Sequence, residues 1–184
     1  GLPVRLVEGE EANRKITVPE DLRGGAAEKK PGGMRIGHGY DVHRFAEGRP
    51  LMLGGESVPH PQGLWGHSDA DVVLHAVADA LLGAAALGDI GRHFPDSDPQ
   101  WKDADSKKLL AAVGRLVRGE GFEAQNLAAT IVCQAPKLVP YIPEMRRHIA
   151  EAVDIPAAAV SVKATTEEGL GFTGACLGIA AHAL

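Results

Sequence analysis

The sequence predicts an α+β fold: a mixed β-sheet with helices packed on one face, plus a small β-hairpin. Three observations predict it. Strand-like and helical stretches alternate along most of the chain, a Gly54-Gly55 pair divides two short apolar runs, and the helical stretches carry apolar stripes that need one face to bury. A length of 184 residues, 45% of them hydrophobic, suits one domain with its own core plus a tail.

Residues 1–22 hold short strand-like runs with too few apolar residues for a core. Residues 23–33, "RGGAAEKKPGG", mix glycine, charge and proline without periodicity, as a flexible linker does. The domain proper is therefore expected over 34–184, and an opening glycine in place of methionine points to a trimmed start. In "GHGYDVH", Gly37 to His43, an extended chain puts Asp41 and His43 on one face, where positions 37 and 39 carry no side chain. Strand glycines mark a close approach, and the expectation is room for a ligand. "LMLGGESVPH" reads as a hairpin turning at Gly54-Gly55.

A helix follows in "HSDADVVLHAVADALLGAAALGD", capped by Ser68 or Asp69, with Val73, Val77, Leu81 and Leu82 as its stripe and an end near Gly88. "DSKKLLAAVGRLVRGEG" predicts a second helix, capped by Asp105 or Ser106, burying Leu109, Val113, Leu116 and Val117 and stopping at Gly119 or Gly121. Strand Leu127 to Cys133 comes next. A third helix over "IPEMRRHIAEAV" buries Ile142, Met145, Ile149, Ala152 and Val153 and leaves Arg146 and Arg147 outside. Strands from Ala159 and from Cys176 close the chain.

A net charge of −5 without a basic cluster argues against nucleic-acid binding. The apolar, uncharged run Ala80 to Gly88 is too short to span a bilayer, which needs about 20 residues. Cys133 and Cys176 are far apart with no CxxC spacing, so a disulfide framework is not indicated and a reducing cytoplasm fits.

The chemistry-bearing residues gather in a few stretches. His75 sits in the first helix with Asp71 and Asp79 at helical spacing. With Asp41 and His43 it makes two imidazoles and one carboxylate, a zinc-ligand set that leaves a fourth position open. Asp79 is one turn on and placed to orient the His75 ring. His67 and Ser68 lie at that helix's start, where unpaired N–H groups favour an anion. Gly88 to Pro99 reads as a helix-ending loop. "KATTEEGLGFTG", Lys163 to Gly174, combines hydroxyls, carboxylates and glycines suited to phosphate oxygens and a hard divalent cation.

Taken in order from Met34 almost to Leu184, "GHGYDVHRF", "HSDADVVLHAVADALLGAAALGDIG", "FPDSDP", "QAPK" and "KATTEEGLGFTG" resemble the 2-C-methyl-D-erythritol 2,4-cyclodiphosphate synthase family. The resemblance implies a lyase of non-mevalonate isoprenoid biosynthesis, a homotrimer with active sites between subunits. It implies that zinc is held by Asp41, His43 and His75, with magnesium or manganese near Glu168. His67 and Thr166 match positions that stabilise the transition state. Asp89, Ile90, Gly91, Phe94, Pro95, Asp96, Ser97 and Asp98 match those around the methylerythritol phosphate. Cys133, Gln134, Ala135, Pro136, Lys137, Leu138 and Val139 match a wall for cytosine, and Thr165 to Glu168 and Phe172 match further substrate contacts. The glycines of "GHGYDVH" would then make room for a diphosphate. "VEGEEANRKITVPEDL" resembles the end of the pathway's cytidylyltransferase, implying the C-terminal part of a bifunctional protein.

One departure stands out. Many members carry arginine after "GFTG" and glutamate two residues later, where this chain has Ala175 and Leu177. If "ACLGI" is a strand, Ala175, Leu177 and Ile179 share a face and line the trimer axis with hydrocarbon. Rival readings are a zinc hydrolase with Asp79 as base, or a metal-binding module without catalysis.

Overall fold

The computed structural model describes residues 33–95, 97–101 and 103–184. The expected cytidylyltransferase remnant, the linker apart from Gly33, and Asp96 lie outside the described residues. The chain divides into two units, Gly1–Met34 and Arg35–Leu184, and the second is described here.

Strand β1, Gly39–Ala46, pairs antiparallel with β4, Gly63–Leu64, on one side and with β7, Gly178–Ala183, on the other. Beyond β7 lies β5, Leu127–Val132, antiparallel to β7 and parallel to β6, Val160–Thr165. The sheet order is β4-β1-β7-β5-β6, so it is mixed. A parallel pair needs a crossover, and α4, Ile142–Val153, supplies it between β5 and β6. Strands β2, Leu51–Leu53, and β3, Glu56–Val58, form the separate hairpin. Its turn runs through Gly54 and Gly55 at φ 59° and 78°, which suits residues without a Cβ.

Helix α1, Val72–Ala84, packs on β1 and β7 and under α3, Ser106–Gly119, which packs in turn on α4. Sandwiched between sheet and helix, α1 buries residues around most of its circumference, Val72, Val73, Leu74, Ala76 and Val77 among them. Leu74, Leu82, Leu110, Ile131, Met145, Ile149 and Ile179 are fully buried between the layers. On the opposite sheet face, Tyr40 and Val42 of β1 are 45% and 42% exposed.

The close fit of α1 to β1 corrects the reading of the strand glycines. A Cβ on Gly39 would lie 1.9 Å from the Ala76 carbonyl oxygen, and one on Gly37 would lie 1.9 Å from that of Ala80. The missing side chains make room for helix backbone, not for a ligand. That contact sets the level at which α1 faces Asp41 and His43.

Other boundaries shift for local reasons. Helix α1 is capped by Asp71, not by Ser68 or Asp69. The fully buried Asp71 carboxylate accepts from Val73 and Leu74 N–H, both at 3.1 Å, and from Gly54 and Gly55 N–H in the hairpin turn at 2.8 and 2.6 Å. One carboxylate thus ties the hairpin to the helix start. Leu116, expected in the core, is 40% exposed. Arg146, expected outside, is half-buried because its guanidinium donates to the Val160 and Ala157 carbonyls at 2.8 and 2.9 Å. Two expected loops contain one-turn helices, α2 at Ile90–His93 and α5 at Gly171–Gly174. Strand β7 begins at Gly178, because Ala175 ends α5 and Cys176 takes φ 56°. Ala175, Leu177 and Ile179 therefore do not form one strand face: Leu177 is 62% exposed while Ile179 is fully buried.

Candidate active site

Residues on β1 and α1 converge where strand and helix touch. Asp41 and His43 alternate onto the helix-facing side of β1, and His75 comes from the first turn of α1. Asp41 Oδ2 lies 3.1 Å from His43 Nε2 and 3.0 Å from His75 Nδ1, and the two ring nitrogens are 3.4 Å apart. A tetrahedral ion with bonds of about 2.0 Å has ligand–ligand edges of about 3.3 Å, so this triangle fits a zinc-sized cation with a fourth position open. Burial opposes charge on both Asp41 and His75, yet their mutual attraction outweighs it. The Asp41 carboxyl is held well below the usual range by His43 and His75, and the His75 imidazole is raised by Asp41, Asp71 and Asp69.

The far side of the His75 ring is not met by Asp79. Its Nε2 lies 3.0 Å from Ser106 Oγ and 3.2 Å from Ser68 Oγ. Asp79 Oδ1 instead accepts from Ile90 N–H at 2.7 Å, which ties α1 to α2 and leaves Asp79 on the cavity wall. Burial raises the Asp79 carboxyl, helped by the charges of Asp89 and Asp41.

His67 stands in a loop that is clamped on both sides. The Arg49 guanidinium donates to the Gly66 carbonyl at 2.6 Å and to that of Ser68, and Asp103 N–H donates to the His67 carbonyl at 2.9 Å. The backbone is thereby fixed while His67 Nε2 is buried with no hydrogen-bond partner among the described residues. A buried ring nitrogen without a partner leaves one polar group of the site unsatisfied.

These groups border a cavity of about 700 Å³ together with Ile90, Gly91, Phe94 and Pro95. Sequence reasoning missed Trp65, Trp101 and Leu109, which also line it. Trp101 meets Phe94 edge-to-face at 5.0 Å and Arg44 lies 4.9 Å over Trp65, aromatic contacts that carried no spacing signal in the chain. Asp89, Ser97 and Asp98 stand outside the lining. Asp89 caps α2 through Arg92 N–H at 2.9 Å, and Asp98 accepts from Gln100 N–H at 3.0 Å.

The remaining candidates form a second cluster at the ends of β5 and β6, outside this cavity. Cys133 N–H donates to the Thr165 carbonyl at 3.0 Å and Gly169 N–H reaches Gln134 Oε1 at 3.4 Å, joining the two loops. Thr166 Oγ1 donates to Glu168 Oε1 at 2.9 Å, and the buried Thr173 hydroxyl donates to Glu167. Lys137, Val139, Thr165 and Phe172 are exposed, whereas Leu138 turns into the core at 2% exposure and offers only backbone. Burial pushes the Cys133 thiol up to about 11, which keeps it in the protonated, unreactive form. Among the described residues no helix is long and apolar enough to cross a membrane.

Comparison with known proteins places this arrangement. The YgbB family matches residues 34–184. The 2-C-methyl-D-erythritol 2,4-cyclodiphosphate synthase of Salinibacter ruber is 63% identical over 150 residues, 82% of this chain and 96% of that protein. The bifunctional enzyme IspD/IspF of Desulforudis audaxviator is 53% identical over all 184 residues, and the chain spans 47% of that relative's length. A solved 2C-methyl-D-erythritol-2,4-cyclodiphosphate synthase in its CDP-bound form superposes with a TM-score of 0.74 at 38% identity, covering 81% of this chain and 97% of that one. With this α+β architecture and these relatives, the chain belongs to the YgbB family.

Proposed function

We propose that the chain converts 4-diphosphocytidyl-2-C-methyl-D-erythritol 2-phosphate to 2-C-methyl-D-erythritol 2,4-cyclodiphosphate and CMP. The observation that carries this reading is the convergence of Asp41, His43 and His75 in one cavity with His67, whose Nε2 has no hydrogen-bond partner among the described residues. Asp41, His43 and His75 would hold zinc. Glu168, an exposed hard oxygen donor beside the Thr166 hydroxyl, would hold magnesium or manganese. Bound there, the two cations supply positive charge to the diphosphate oxygens.

The chain's own residues position and stabilise. The 2-phosphate oxygen of the substrate attacks the β-phosphorus of its own diphosphate, and the bond to the CMP phosphate breaks, so no protein nucleophile is required. His67 and Thr166 donate to non-bridging oxygens as charge shifts onto the leaving CMP. Asp89, Ile90, Gly91 and residues 94–98 would contact the methylerythritol phosphate, with Ser68 a further substrate contact from the start of α1. Cys133 to Val139 wall the cytosine, and Thr165 to Glu168 and Phe172 make further substrate contacts. Fixing both ends of one substrate makes the attack intramolecular, which contributes on the order of 7 kcal/mol or more.

In a single chain the cavity and the β5–β6 loop cluster are separate. A homotrimer with each site between neighbours would join one copy's cavity to the next copy's loops, and the exposed Tyr40 and Val42 side of the sheet gives it a face to bury. Residues 1–33 are read as the end of a cytidylyltransferase domain and its linker, in a bifunctional cytoplasmic enzyme. Phosphorus NMR of the product tests the reaction: a cyclic diphosphate plus CMP supports it, and an open diphosphate or free phosphate would make the chain a hydrolase.

A further inference from the structure

We infer that Asp69 and Ser106 are positioning residues that fix the tautomer and ring plane of His75, so that Nδ1 presents a lone pair to the cation site. The inference rests on the metal reading of that site and goes beyond its three ligands. Ser106 carries a single hydroxyl proton, and its Oγ donates to Asp69 Oδ1. An ionised carboxylate only accepts, so the direction of this bond is set. Ser106 Oγ is left with lone pairs toward His75 Nε2 at 3.0 Å, and within that pair the ring nitrogen is the donor. A neutral imidazole with its proton on Nε2 has an unprotonated Nδ1, the atom that faces Asp41 and His43. The ring therefore turns its lone pair toward a carboxylate oxygen and a second ring nitrogen, an arrangement that a cation between them relieves.

The relay is built to hold its direction. Asp69 Oδ2 accepts from Ser106 N–H at 3.0 Å, so both carboxylate oxygens grip the same residue. Asp69 N–H donates to the Ala104 carbonyl at 3.1 Å, zipping the His67 loop to the start of α3. Ser68 Oγ accepts from Ala70 N–H at 3.1 Å and lies 3.2 Å from the same His75 Nε2, and its hydroxyl proton can turn either way, so the Asp69–Ser106 pair is what sets the direction. Ser106 is 1% exposed and Ser68 8%, which leaves little opening for water to substitute. Partners of this kind on a metal-bound histidine typically change metal affinity by roughly 10–100-fold.

The test uses the full chain as the parent, Ser106→Ala and Ser106→Thr variants, zinc affinity by chelator competition, and the long-range 1H–15N spectrum of His75. Ser106→Ala should weaken zinc roughly 10-fold or more, and Ser106→Thr, which keeps the hydroxyl, should recover most of that loss. In the metal-free parent at a pH where His75 is neutral, the ring proton should reside on Nε2, and in Ser106→Ala it should redistribute between the nitrogens. Equal zinc affinity in Ser106→Ala and the parent would overturn the relay. So would a Thr variant as weak as the Ala variant, or a ring proton that stays on Nε2 in Ser106→Ala. A parent that takes up no zinc would refute the metal reading, and the proton position would still decide the relay.

Discussion

Around His75 the polar atoms are answered from distant parts of the chain: Asp41 on β1, Ser68 before α1, and Ser106 on α3. Around Glu168 the partners come from the same loop, as in Thr166 to Glu168 and Thr173 to Glu167, and Leu170 and Phe172 beside it are 72% and 40% exposed. The cavity half is thus part of the core, with its geometry set by the packing of α1 on β1. The loop half stands on the surface with side chains that the single chain does not cover. Changes in the first should be felt through the fold, and changes in the second through the proposed contacts with substrate and a neighbouring copy.

Paired glycine substitutions should separate the halves most widely. Gly39→Ala puts a methyl 1.9 Å from a helix carbonyl, so it should cost at least about 3 kcal/mol in thermal unfolding and remove zinc along with it. Gly169→Ala meets no atom within 4 Å and suffers only from its φ of 82°, so about 1 kcal/mol is expected. Comparable losses would show that the helix can retreat from the strand.

Ligand removal should be next in size. His75→Ala should abolish zinc content by metal analysis and cut turnover at least about 100-fold, whereas Glu168→Gln should raise the magnesium or manganese needed for half-maximal turnover and leave zinc in place. An unchanged metal titration in Glu168→Gln would remove that residue from the second site.

Acidity provides a smaller, signed effect. Asp41 lies below its ordinary 3.8 and His75 above its ordinary 6.5. In chelated protein the Asp41 contribution is present above 3.8 and lost as pH falls through its lower folded value, while the His75 contribution is present below 6.5 and lost as pH rises through its raised value. The His75 contribution to the thermal midpoint of chelated protein should therefore decline as pH rises above 6.5. Zinc-loaded protein should run the other way, because zinc must displace the His75 proton. The smallest change is expected from Thr173→Val, which keeps the shape and loses one hydrogen bond, for about 1 kcal/mol and a rise in KM without loss of zinc.

What could be read from the sequence follows the same division. The residues that converge on the cation site were legible from strand alternation and helical spacing, because both periods are local properties. The role of Gly37 and Gly39 was not, since a glycine marks close approach without saying whether ligand or backbone approaches. Ser106 read as a helix cap, and its contact with His75 spans 31 positions, which no local pattern encodes. Trp65 and Trp101 were silent for the same reason. The loops after β5 and β6 carried only composition, and it took the family resemblance to give their residues roles. The overall α+β layering was legible because each helix had to bury a stripe. The start of β7 was not, because the Cys176 backbone at φ 56° follows from tertiary placement and not from propensity.

The claim that the cavity of one copy works with the loops of the next is tested most directly by mixing two inactive variants. His75→Ala spoils the cavity half and Glu168→Ala spoils the loop half. Co-refolded in equal amounts, they should regain up to about a quarter of parental cyclisation, the share of sites that draw both intact halves from different copies. Trimers of mixed composition that stay inactive would contradict the account and place each complete site within one chain.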